Sequence, residues 1–179
     1  MNAIIDADSF VFRAAAASEN DDLFIATERV DFMINSALDE VGAKEQILFL
    51  TGKGNFRYQV YPEYKNFRAA KERPKWEQAL KQHLIDHWQA EVVHGIEGDD
   101  ACGIAQCGSH KDKSIIIHQD KDINMIPGWH YNFVKKEKYY VTDEQAIRFF
   151  YTQLLTGDPT DAIKGVVGIG PKKAEKLLS

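Results

Sequence analysis

Apolar positions along this chain fall into two alternating rhythms. Short unbroken runs, Ala3-Ile4-Ile5, Gln46-Ile47-Leu48-Phe49-Leu50, Glu91-Val92-Val93-His94 and Ser114-Ile115-Ile116-Ile117-His118, have the length and β-branched content of buried strands. Longer segments between them carry apolar residues at helical spacing. The first follows Asp6, with Ser9 as its expected cap and Val11, Phe12 and several alanines along it. A second runs from Leu23 to Val41, with Phe24, Ile25, Val30, Phe32, Met33, Ile34 and Leu38 read as one broad apolar face. A third spans 74–90 through Trp76, Leu80, Leu84, Ile85 and Trp88, a fourth opens in EGDDACGIAQC, and a fifth runs from a Thr142 cap to about Leu155. Residues 131–141, YNFVKKEKYYV, predict a hairpin turning at Lys135-Lys136-Glu137-Lys138. Strands separated by helices imply an α/β domain whose mostly parallel central sheet is covered by helices on both faces.

In such a sheet ligands bind beyond the carboxyl ends of the strands. Asp6, the Glu97–Asp100 group and the Asp120/Asp122 pair each follow an apolar strand, so three acidic clusters are expected at one edge. With Asp8, Asp158 and Asp161 the set comprises Asp6, Asp8, Glu97, Asp99, Asp100, Asp120, Asp122, Asp158 and Asp161. Taken singly, Asp99/Asp100 also suit a helix N-terminus and QDKD a solvated turn. Together, so many carboxylates would repel and raise one another's pKa values unless cations neutralised them. An all-oxygen donor set favours Mg²⁺, with Mn²⁺ as substitute, over zinc. Two such ions are a recurrent device for phosphodiester hydrolysis.

Composition changes the picture only in its distribution. The 179 residues carry a net charge of −5, which by itself argues against a nucleic-acid partner. Those nine acids come out of 27, however, and the remaining 18 are outnumbered by 22 Lys and Arg, so an acidic pocket lies in a mildly basic surface. No apolar run approaches a membrane span and MNAIIDADSF lacks the features of an export signal, so a cytoplasmic protein without membrane contact is expected. Cys102 and Cys107 point to different faces of one helix and read as buried free thiols. HLIDH lacks the glutamate of the zinc motif HExxH, so His83 and His87 read as surface or flanking residues.

Two further stretches carry charge suited to phosphate. In TGKGNFRYQVYPEYKNFR and the residues after it, Lys65, Arg68, Lys71, Arg73 and Lys75 interleave with Tyr61, Tyr64, Phe67 and Trp76. Arginine beside aromatics suits single-stranded DNA, although a solvated basic helix has the same composition. At the other end, GDPTDAIKGVVGIGPKKAEKLL places Asp158 and Asp161 on one side of an expected helical turn. A tight hairpin follows, with Gly168 and Gly170 supplying backbone freedom, and it opens a helix at Pro171. Lys172 and Lys173 oppose the dipole of that helix, a conflict relieved if the hairpin receives a phosphate.

These motifs, in order, resemble the flap endonuclease / 5′–3′ exonuclease family, which includes bacteriophage 5′-nucleases and the 5′-nuclease domain of bacterial DNA polymerase I. Asp6 matches the acid of the family's first strand, EGDD its E-A-D-D, HQDKD its T-x-D-x-D and GDPTD its G-D-x-x-D. YPEYKNFR matches Y-x-x-Y-K-x-x-R, which implies that Lys65 and Arg68 reach the scissile phosphate from the base of a helical arch. The resemblance implies a PIN-like 5′-nuclease fold over 1–155, with an arch-like segment near 52–90. A helix–hairpin–helix (helix–three-turn–helix) DNA-binding segment is implied over 156–179. It further implies metal ligation by the acids above, with Asp8 as an additional candidate. DNA contact falls to Tyr64, Lys71, Arg73, Lys75, Gly168, Gly170, Lys172 and Lys173, and a K⁺ ion is implied at the hairpin. The expected partner is DNA with a 5′ end or flap, bound by a monomer in a bacterial or phage-infected cell. Two departures stand out: an aspartate usual after the second long strand is replaced near Thr51-Gly52, and the sequence stops at Ser179, where relatives continue. A catalytically weak, structure-specific DNA-binding protein and a PIN-type ribonuclease remain alternatives.

Overall fold

The computed structural model describes residues 1–66 and 72–179. The strands are β1 (Asn2–Asp6), β2 (Gln46–Thr51), β3 (Glu91–Val93), β4 (Ser114–His118), β5 (Gly128–Asn132) and β6 (Glu137–Val141). They form one sheet in the order β3-β2-β1-β4-β5-β6, parallel except for the β5–β6 hairpin. The helices are α1 (Ala7–Ala17), α2 (Leu23–Val41), α3 (Arg57–Val60), α4 (Glu77–Trp88), α5 (Gly98–Cys107), α6 (Asp143–Thr156) and α7 (Pro171–Leu177). A two-stranded β7–β8 ribbon (Gly157–Asp158, Ile163–Lys164) links α6 to α7. Among the described residues no helix is long and apolar enough to cross a membrane.

Strand alternation splits the core in two. Ala3, Ile5, Leu48, Leu50, Ile115 and Ile117 point to one face, where α1, α2 and α4 cover them through Phe10, Val30, Ile34, Leu80 and Leu84. Ile4, Phe49 and Ile116 point to the other, under Ala101, Cys102 and Ala105 of α5. Burial of β1 and β4 on both faces explains their unbroken apolar runs. Ile116 is fully buried on the thinner α5 side. Ile116→Ala is therefore expected to cost about 2–5 kcal/mol through lost transfer energy and a cavity. A guanidinium midpoint that did not move would separate the α5 face from the cooperative core.

Several local expectations are corrected. Ser9 lies inside α1 rather than before it, and its hydroxyl donates to the Asp6 carboxylate. The 74–90 helix is shorter, Glu77–Trp88. The hairpin turns at 133–136 because the Asn132 side chain accepts from the N–H groups of Val134 and Lys135, at 3.1 and 3.0 Å. The core stripe of α2 is Ala26, Val30, Ile34, Ala37 and Val41, so Phe24 and Phe32 stand 67% and 72% exposed on its other side. Cys102 is buried as expected, but Cys107 is exposed. His83 is a packed residue rather than a surface one: its imidazole and the Trp88 indole both meet Asp31, at 2.9 and 2.7 Å, tying α4 to α2.

Candidate active site

Parallel pairing brings the carboxyl ends of β1, β2, β3 and β4 to one edge, and Asp6 is the last residue of the central strand. Its side chain is buried. Burial pushes it up to about 7, against the opposing Ser9 hydrogen bond and with help from Asp8, Asp99 and Asp120. Asp99, in the first turn of α5, is likewise pushed up to about 6 by burial and then by Glu97 and Asp100. Asp8, Asp99 and Asp120 therefore lie within electrostatic reach of Asp6.

Each flanking acid is held by a cation. Lys65 donates to both Glu97 oxygens, at 2.7 and 2.9 Å, and stands 3.9 Å from Asp161. Lys121 bridges Asp122 and Asp158 at 2.6 and 2.9 Å. Arg57 clamps Asp100 with two bonds of 2.6 and 2.7 Å, and Lys81 meets Asp8 at 2.6 Å. Burial raises the Asp100 carboxyl, but Arg57 more than offsets this and holds it below the usual range. Asp100 also accepts the Glu97 N–H at 3.0 Å, closing a capping box at the start of α5. With ammonium and guanidinium groups interposed, no three carboxylate, imidazole or thiol groups among the described residues converge as a ready-made ion site. The donor chemistry nevertheless fits a hard divalent ion: every candidate ligand is a carboxylate, and burial, with neighbouring carboxylates, raises Asp6 and Asp99 towards neutral pH.

The first departure from the family pattern has a structural answer. The Thr51 N–H donates to Asp8 Oδ2 at 2.7 Å, and the Thr51 hydroxyl accepts the Gly98 N–H at 2.8 Å. A Cβ at position 98 would lie 3.2 Å from both Asp8 Oδ2 and the Phe49 carbonyl. Glycine in EGDD thus makes room for the carboxylate of Asp8 at the end of β2, where the usual acid is missing.

GDPTD does not place its acids on one face. Residues Pro159–Asp161 form a 3-10 turn whose cap, Asp158, accepts the Thr160 N–H at 2.8 Å. Asp158 and Asp161 thereby part, one to Lys121 and the other to Lys65. Tyr64, expected to contact DNA, is buried with its hydroxyl donating to Glu97 at 2.8 Å, so its ring is no stacking platform. Arg73 and Lys75 are exposed, the first paired with Glu77 and the second over the Trp76 ring. Arg68 and Lys71, with Phe67, lie outside the described residues. In the hairpin Gly168 needs its glycine, at φ +79, whereas Gly170 has a φ of −98 that any residue adopts. Lys172 and Lys173 are exposed, and the Lys173 ammonium donates to the Gly168 carbonyl at 2.9 Å.

Sequence reasoning missed Arg57, Lys81 and Lys121. Arg57 stood inside the basic aromatic stretch and Lys121 between the two acids of QDKD, both visible but unassigned. Lys81 carried no signal: it is one of several charges on α4.

No protein-family model matches the chain. It is 28% identical, over 205 aligned positions and 98% of its length, to DNA polymerase I of Bacillus caldotenax, of which it spans 23%. It is 28% identical over 173 positions, 84% of its length, to flap endonuclease Xni of Pseudoalteromonas translucida, of which it spans 64%. The chain thus covers less than two thirds of these curated relatives. Among solved structures, the bacteriophage T5 D15 flap endonuclease, in complex with DNA and metal ions, matches 99% of the chain. The chain spans 74% of that protein, with a TM-score of 0.75 at 22% identity. The catalytic core of Rad2 with DNA substrate matches 99% of the chain, which spans 59% of it, at a TM-score of 0.64 and 15% identity. The fold is that of these nucleases, and in sequence the chain resembles flap endonucleases and the matching part of DNA polymerase I.

Proposed function

We propose that this chain is a divalent-metal-dependent 5′-nuclease that hydrolyses phosphodiester bonds of DNA bearing a 5′ single-stranded end or flap. The observation that carries the reading is the strand-end edge where Asp8, Asp99 and Asp120 add to burial in raising the proton affinity of Asp6 while Lys65 and Lys121 stand over the neighbouring acids. Asp6, Glu97, Asp99, Asp120, Asp122, Asp158 and Asp161 are the residues that would hold two Mg²⁺ or Mn²⁺ ions. When bound, such ions supply a nucleophilic water at neutral pH and charge for the scissile phosphate and leaving oxygen. Asp100 is better suited to orienting: its oxygens are taken by Arg57 and by the Glu97 N–H, which fixes the first turn of α5 and with it Glu97 and Asp99. Asp8 does the same for the end of β2 through Thr51.

Lys65 has a left-handed backbone, φ +51, and a mostly buried side chain that ends on Glu97. A phosphate arriving over the acidic edge draws this ammonium away from Glu97, so the contact strengthens as charge builds on the phosphate. Lys65→Ala is therefore expected to lower the single-turnover rate by about 10²-fold while affinity changes much less. Equal losses in rate and affinity would reduce Lys65 to a binding charge. Arg68 is assigned the neighbouring phosphate contact on resemblance alone. Arg73, Lys75 and Lys71 are assigned to the single strand, and the hairpin from Gly168 to Lys173 to the duplex phosphates, a K⁺ ion included.

The test is a labelled 5′-flap DNA incubated with Mg²⁺, Mn²⁺ or EDTA, beside a matched RNA. Metal-dependent release of short 5′-phosphorylated oligonucleotides supports the nuclease. Binding without cleavage in either metal favours the structure-specific binding protein, which the non-convergent acids and the Thr51 position make the second reading. Cleavage of the RNA in preference to the DNA favours a ribonuclease.

A further inference from the structure

The two lysines that bridge acid pairs are not equivalent. Lys65 is boxed in, its side chain 13% exposed, and shares Glu97 with the Tyr64 hydroxyl. The Lys121 side chain is 58% exposed, yet its ammonium lies between Asp122 and Asp158, whose side chains are 22% and 9% exposed. A largely exposed cation thus closes a gap between two more deeply buried anions.

The anions are fixed without it. Asp122 accepts the Gln153 side-chain amide of α6, and its own N–H donates to Asp120 Oδ1 at 3.0 Å. Asp158 Oδ1 accepts the Thr160 N–H at 2.8 Å, leaving Oδ2 to the lysine. One neutral donor each, the Gln153 amide of α6 for Asp122 and the Thr160 N–H for Asp158, therefore holds the carboxylates in place if the ammonium departs.

Resting on the nuclease reading, we propose that Lys121 is a built-in counter-cation for the ion site that includes Asp122 and Asp158. Loading a divalent ion there is an exchange in which the ammonium is expelled to solvent. Lys121 then sets the affinity and stoichiometry of metal binding without ligating the metal. Without the ion it keeps these two carboxylates, one buried and one half-buried, from repelling one another. Once expelled, it leaves one additional positive charge at the mouth of the site, facing the same solvent from which DNA phosphate arrives. Coupling of this kind is reciprocal: the ion displaces the lysine, and a phosphate that captures the lysine favours the ion.

Calorimetric titration of the whole chain with Mn²⁺, without DNA, tests this. In the wild type one of two sites is expected to bind weakly. Lys121→Met and Lys121→Gln, which remove the competitor, are expected to tighten that site about tenfold, the scale of a partly exposed ion pair. Lys121→Arg keeps the cation and is expected to keep the site weak. Lys44→Met changes net charge equally, just before β2 at the opposite end of the strands, and is expected to leave both sites alone. Identical Mn²⁺ isotherms for the wild type and both neutral variants would overturn the proposal, as would equal tightening by Lys44→Met. The outcome is separable from that of the flap assay. Unchanged isotherms in a protein that cleaves flap DNA sink the exchange alone, and a tightened site in a protein that cleaves nothing sinks the nuclease alone.

Discussion

Asp158→Ala and Asp120→Ala are each expected to abolish cleavage of flap DNA in Mg²⁺ while leaving affinity for that DNA intact. Each removes a carboxylate proposed to hold metal and no donor to phosphate. Loss of several kcal/mol of transition-state stabilisation corresponds to about a thousandfold or more in rate. Binding is spared for a second reason: the substrate is anionic, so a lost carboxylate removes repulsion, and Asp158→Ala also frees Lys121 from half its bridge. Single-turnover cleavage and fluorescence anisotropy on the same substrate separate the two quantities. Cleavage by either variant at near wild-type rate would remove that residue from the metal assignment.

The second large effect is expected at the hairpin. Lys172 and Lys173 are exposed in the first turn of α7, on a loop whose turn depends on the left-handed Gly168. Contacts from such a loop to phosphate position a protein without reading sequence. The Lys172→Ala/Lys173→Ala double variant is therefore expected to bind every duplex-containing DNA more weakly, with a salt slope lower by about two units. Binding to short single strands is expected to change much less, because that contact is assigned to Arg73, Lys75 and their neighbours. Affinity measured against salt for flap, duplex and single-stranded DNA checks this. An unchanged duplex slope would leave the hairpin as a turn, held together by the Lys173 bond to the Gly168 carbonyl.

What was legible in the sequence was whatever depends on nearest neighbours along the chain. Ser114–His118 and Leu23–Val41 were bounded correctly because apolar runs and helical spacing are local signals. The edge that gathers Asp6, Asp99 and Asp120 followed from parallel strands alone. Side-chain partners across the fold were not legible. Arg57 reaches Asp100 over 43 residues of chain, and Lys121 reaches Asp158 over 37. Nothing in either neighbourhood states which of several acids a given cation will meet. GDPTD was misread for a related reason: i, i+3 spacing puts two acids together on a regular helix, but a cap on Thr160 and the left-handed Ala162 end the turn after three residues. Phe24 and Phe32 were misplaced because hydrophobicity was counted without the phase of the helix, which the alanines at 26 and 37 set.

The strand order also governs how the molecule emerges from synthesis. β1 precedes the other strands of the sheet along the chain, yet one of its two neighbours is β4, with Asn2 paired to Ser114. A growing chain can dock β2 early, but the other side of Ala3–Asp6 stays an open, apolar edge until residue 118 has cleared the ribosome. Asp6 meets Asp120 only then, and GDPTD arrives about forty residues later still, some seconds at ordinary elongation rates. An unfinished chain is thus a sticky half-sheet with no assembled acidic edge, prone to wrong pairing before that edge exists. Slowing translation past residue 118 is the point at which chaperone dependence and solubility of this protein should respond most.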